Sequence, residues 1–82
     1  MNGTAVMTGL ACLAWQRAVY LGQLATRITA FNVIACAGNA HHFDQTLFAA
    51  KPHPGQQRVA SRLRQDLATD RPPRNEQRLQ DR

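Results

Sequence analysis

An 82-residue chain with ten basic residues, five acidic ones and a net charge of +5 forms one domain at most, and at this size folding removes only about 60% of the unfolded surface from water. Its two cysteines, Cys12 and Cys36, are too far apart for a C-x-x-C redox or zinc motif. They are expected as small buried hydrophobes in a reducing, cytoplasmic compartment.

Residues 1–9 make a weak beginning, with Thr4 and Thr8 as candidate N-caps but no Glu or Gln three positions on to complete a capping box. The stretch that follows, Leu10 to Ala37, is the apolar half of the chain, and its only charges are Arg17 and Arg27. At 100° per residue, Leu10, Leu13, Leu21, Leu24, Ile28 and Phe31 fall in one narrow sector, which predicts a long amphipathic helix. Gln16, Gln23 and Arg27 flank the stripe, whereas Trp15, Val19 and Val33 lie on the far side. Such a helix is apolar over more than half its circumference and needs cover on two sides. Arg17 falls inside the stripe and has to be paired or snorkel. Gly22 costs about 1 kcal/mol relative to Ala. From Ile28 to Ala37 the β-branched and aromatic residues suit a strand as well as a helix, and the helix reading is kept to Ala37. Gly38 and Asn39 then supply residues that tolerate a left-handed helix end.

No window of roughly 20 residues in this stretch avoids Arg17, Arg27 or a glutamine, which argues against a membrane span. Association with a lipid surface stays open. The box Val33-Ile34-Ala35-Cys36 lacks the basic start and unbroken apolar core of a signal segment.

After His41-His42-Phe43, Asp44 is placed to cap a short helix running through Ala50, with Phe43 and Phe48 at hydrophobic-staple spacing. Pro52-His53-Pro54-Gly55 stops it. A second amphipathic helix is predicted from Gln56 to Ala68. Val59, Leu63 and Leu67 form its narrow apolar face, Ala60 lies beside them, and Arg58, Arg62, Arg64 and Gln65 face solvent. Arg62 and Asp66 are an i,i+4 pair. From Asp70 the chain is polar and carries little that offsets the entropy of ordering, so residues 70–82 read as a disordered basic tail. The fold class is therefore mainly α: one long apolar helix, a short capped helix and a narrow amphipathic helix in a single small unit, residues 1–69, followed by that tail.

No catalytic constellation, metal set or phosphate-binding loop is legible, and no cofactor is implied. His41, His42, His53, Asp44 and Cys36 are metal-competent, yet adjacent histidines point apart and no spaced pair anchors them. The residues therefore read as a non-enzyme. The first functional reading is an interaction protein that buries its long helix, through Trp15, Val19 and Val33, against a second copy, another protein or a lipid surface. The second is a nucleic-acid accessory protein. In it Arg58, Arg62 and Arg64 give weak, non-specific phosphate attraction, without the interleaved aromatics or helix-turn-helix that specific readout needs. The third is a spurious or fragmentary reading frame with no selected function, because arginine bias and missing caps break the agreement between levels that a selected fold shows.

Overall fold

The computed structural model describes residues 3–68 and residue 80. Within them the chain is helical, as its periodicity requires: α1 (Ala5–Ala35), a 3-10 turn (Ala40–Phe43), α2 (Gln45–Ala50) and α3 (Pro54–Leu67). The segment expected to be a disordered tail, 70–82, lies outside the described residues apart from residue 80, as does the domain limit at residue 69.

The α1 helix has 31 residues and, at 1.5 Å per residue, runs for about 46 Å. Thr4 is its N-cap, in αR geometry and without a side-chain cap hydrogen bond; Thr8 lies within the helix. The ambiguity between helix and strand resolves in favour of helix as far as Ala35. Thr26 and Thr29, β-branched residues in the helix interior, donate their Oγ1 hydroxyls to the carbonyls of Gly22 and Ala25 at 2.9 Å, the local bond that reconciles threonine with helical backbone.

The helix ends two residues before Ala37, and the left-handed residue is Ala37 itself, at φ 51°, rather than Gly38 or Asn39. The Ala37 N–H donates to the Ile34 carbonyl at 3.0 Å and the Gly38 N–H to the Val33 carbonyl at 2.8 Å, the pair of bonds that defines a Schellman end. A Cβ in the left-handed region costs roughly 1–2 kcal/mol, partly offset by glycine's greater freedom in the unfolded chain. Ala37→Gly is therefore expected to stabilise the chain by roughly 0.5–1 kcal/mol, read as a higher denaturant midpoint at unchanged slope.

The α2 helix begins and ends as its sequence predicts. The α3 helix starts two residues early: Pro54 and Gly55, expected as stop residues, open it, with His53 as N-cap and Pro54 at the first helical position. Proline fits there because that N–H has no partner inside the helix in any case. The buried positions of α3 are Ala60, Leu63 and Leu67. Val59, expected on the same face, is 47% exposed.

The core lies where α3 meets the last turns of α1. Leu63 and Leu67 close on Ala30, with Val33, Ile34, Ala40 and Phe43 partly buried around them. Ala30 lets α3 approach the α1 backbone closely. The rest of α1 is uncovered: Leu10, Leu21 and Phe31 are 63%, 60% and 69% exposed. Cys12 and Cys36, expected to be buried, are free and exposed: Cys12 lies on the uncovered part of α1, and Cys36 is the residue that follows its last turn. Among the described residues, no helix is long and apolar enough to cross a membrane.

Candidate functional site

Three arrangements bring chemistry-bearing side chains together. The first ties α1 to α3. Asp66 is largely enclosed and accepts from two guanidiniums, Arg27 Nη1 at 3.3 Å from α1 and Arg62 Nε at 3.4 Å one turn back on α3. The i,i+4 pair expected from the sequence is present. Its extension across to Arg27 was not legible, because it depends on which flank of α1 receives α3. Both arginines are about half exposed, so solvent screens the pair and its work is mainly to fix register.

The second arrangement is the joint between α3 and the chain before it. Arg64 Nη1 donates to the Phe43 carbonyl at 2.7 Å, and Gln57 Nε2 donates to the Phe48 carbonyl at 3.2 Å. Two side chains of α3 thus satisfy carbonyls at the end of the 3-10 turn and in α2, groups that a short helix leaves without backbone partners. Around them Gln45, Phe48, Gln57, Ser61 and Arg64 line a cleft of about 340 Å³. Asp44 precedes the lining residue Gln45 in the chain. The Thr46 hydroxyl, followed by the first backbone N–H groups of α2 and the more distant Arg64 charge, holds its carboxyl below the ordinary aspartate value, although no cap hydrogen bond of good geometry forms.

The three arginines read as a phosphate-facing stripe therefore do different things. Arg58 is exposed, Arg62 is paired with Asp66, and Arg64 is half-buried and bonded to Phe43. Of the metal-competent set, His41 and His42 bring their rings to 4.6 Å. Among the described residues, no group of three or more His, Cys, Asp or Glu side chains is placed to hold a metal ion.

The third arrangement is the open surface of α1. Trp15 is 66% and Val19 39% exposed, whereas Val33 packs against the core cluster. The three expected partner residues are thus divided, with the end of the far side covered by α3 and its middle open. The Leu10–Phe31 stripe is bare along its whole length.

Comparison with known proteins places this geometry in context. The family model described as "Aromatic amino acid lyase" matches residues 1–82. The chain is 36% identical over 73 residues to the histidine ammonia-lyase of Bos taurus, a match covering 89% of this chain and 11% of that protein. It is 41% identical over 68 residues to the tyrosine 2,3-aminomutase of Chondromyces crocatus, covering 83% and 13%. It is 44% identical over 57 residues to phenylalanine ammonia-lyase 1 of Pleurotus ostreatus, covering 68% and 8%. No solved structure matches. The chain spans about a tenth of the length of the curated relatives it matches.

These matches overturn four readings of the sequence. The non-enzyme reading fails because the family is one of enzymes. The free-standing interaction protein, with or without membrane association, and the nucleic-acid accessory protein fail for the same reason. The spurious frame fails because a family model runs along all 82 residues. Composition and helical periodicity do not carry the family, because an amphipathic pattern specifies a helix and not the protein it belongs to. The chain belongs to the aromatic amino acid lyase family.

Proposed function

We propose that this chain is a helical framework segment of an ammonia-lyase or aminomutase acting on an α-amino acid with an aromatic side chain. The observation that carries the reading is the family match along the whole chain, to relatives named for histidine, tyrosine and phenylalanine. Release of ammonia and transfer of an amino group from C2 to C3 share one step, cleavage of the bond between Cα and the amino nitrogen. In the elimination the nitrogen leaves Cα with the bonding pair, Cβ loses a proton, and a double bond forms between the two carbons.

The part of this chain in that chemistry is architectural. A helix that is apolar over more than half its circumference and too polar to cross a bilayer belongs in the core of a larger protein. The α1 helix fits that description, and the Trp15–Val19 surface is the face assigned to further helices of the enzyme. The test is a chimera in which this chain replaces the matched segment of the Bos taurus histidine ammonia-lyase. It is expected to fold and to release ammonia from histidine. A chimera that does not fold counts against the framework role, and one that folds without releasing ammonia counts against the reaction assigned.

A further inference from the structure

We propose that the cleft between α2 and α3 binds a small aromatic carboxylate, with the Arg64 guanidinium holding the carboxylate and the Phe48 ring flanking the aromatic body. One face of each helix makes the cleft. Gln57, Ser61 and Arg64 recur at steps of four and three along α3, and Gln45 and Phe48 at a step of three along α2, the spacings that bring side chains to one side of a helix. Packed helices ordinarily meet through apolar side chains. Here the α3 side of the contact is a carboxamide, a hydroxyl and a guanidinium, all half-buried, while the buried apolar residues Ala60, Leu63 and Leu67 lie about a quarter turn round the helix from them.

The charge in the cleft is oriented but not neutralised. Arg64 Nη1 donates to the Phe43 carbonyl at 2.7 Å, a neutral partner, whereas Arg27 and Arg62 both face the Asp66 carboxylate. On the Asp44 carboxyl, the Arg64 charge is the last and weakest of the influences that lower it. A guanidinium has five N–H donors. With Nη1 committed to Phe43, the edge formed by Nε and Nη2 remains, and that edge meets a planar carboxylate with two parallel hydrogen bonds. Ser61 lies between Gln57 and Arg64 on the same face and adds a hydroxyl donor.

The cleft is also preorganised. Gln57 Nε2 is held by the Phe48 carbonyl at 3.2 Å, so two of its polar side chains are fixed before a ligand arrives, and less rotamer freedom is lost on binding. Its volume of about 340 Å³ is at the small end of ligand sites, roughly 300–1,000 Å³, and more than a bare inorganic anion fills. The half-buried Phe48 ring supplies the apolar wall for the rest of the ligand, and aromatic rings favour each other in offset or edge-to-face contact. The net charge of +5 draws an anion towards the chain.

The test is a titration of the full 82-residue chain with benzoate at constant ionic strength, followed by amide chemical shifts. Saturable shifts are expected around Phe48, Gln57, Ser61 and Arg64. Benzamide, the neutral analogue, and acetate, which lacks the ring, should each bind roughly tenfold more weakly or worse. Gln45→Glu sets a like charge at the exposed side of the cleft and should lower benzoate affinity about tenfold. It should leave helical circular dichroism unchanged, because a glutamate in the first turn of α2 suits the helix dipole. Arg64→Lys keeps the charge but loses the fork, and should weaken binding severalfold. Equal affinity for benzoate and benzamide, acetate binding as tightly as benzoate, or shifts centred on the Trp15 surface of α1 would overturn the proposal. So would undiminished binding in Gln45→Glu, or no saturation at benzoate on the order of 10 mM.

Discussion

Leu63→Ala is expected to destabilise the chain by about 2–5 kcal/mol and to release α3 from α1. Leu63 is 4% exposed and sits with Leu67 and Ala30 at the centre of the small described core. Removing its isobutyl group loses the transfer free energy of the buried carbons and leaves a cavity against Ala30, whose methyl group cannot move in to fill it. A domain of ordinary size has a net stability of only about 5–15 kcal/mol, so here the substitution should remove most of what holds the two helices together. Amide exchange reads the outcome by position. Protection at Leu63 and Leu67 should fall towards that of an isolated helix, while the middle of α1, which α3 does not touch, should keep its own rate. Val59→Ala is the control. Although periodicity puts Val59 on the same face, it is 47% exposed, and its loss should change stability by no more than about 0.5 kcal/mol. Equal effects at the two positions would show that α3 presents a different face to α1.

The contrast between Leu63 and Val59 marks where the sequence stops being informative. Periodicity located α1 and α3 because an apolar repeat of three and four is enough to specify a helix, and Asp44 located α2 because a capping residue acts locally. Neither principle says which side of one helix meets another. The strongest stripe on α1 is the one α3 leaves bare, and docking uses Ala30, Val33 and Ile34 instead. Alanine scores poorly as a core residue, yet it permits close approach of two backbones, and Asp66 finds Arg27 only on that flank. The same limit hid the role of Arg64. A charged residue on the polar side of a helix reads as solvated, and its bond to the Phe43 carbonyl depends on how the 3-10 turn folds back. Arg62 and Asp66 were legible because four residues of one helix fix their distance.

Asn39 was read only as a residue that tolerates a helix end, whereas it is 1% exposed, the most enclosed polar side chain among the described residues. The residue has a partner within the fold, and polar groups enclosed to this degree are hydrogen-bonded in the large majority of folded proteins. Asn39→Asp, nearly isosteric, is therefore expected to destabilise the chain by more than the 1–3 kcal/mol or so of one broken buried hydrogen bond at neutral pH, because it replaces a satisfied amide with an enclosed negative charge. The sign of the pH dependence follows from that burial. Enclosure disfavours the charged form, so the folded-state pKa of the new aspartate is raised above its unfolded value of about 3.9. Above the folded pKa the variant carries the full loss. As pH falls through the folded pKa the native state takes up the proton first and stability returns, and the return is complete below the unfolded value. The stability difference between the original chain and the variant should accordingly be greatest at pH 7 and shrink on acidification. It should not vanish, since a protonated carboxyl has one O–H donor where the amide has two N–H donors. Chemical denaturation of the two proteins at pH 7 and at successively lower pH measures this. A difference that is constant with pH, or that grows on acidification, would mean that the side chain at position 39 reaches water.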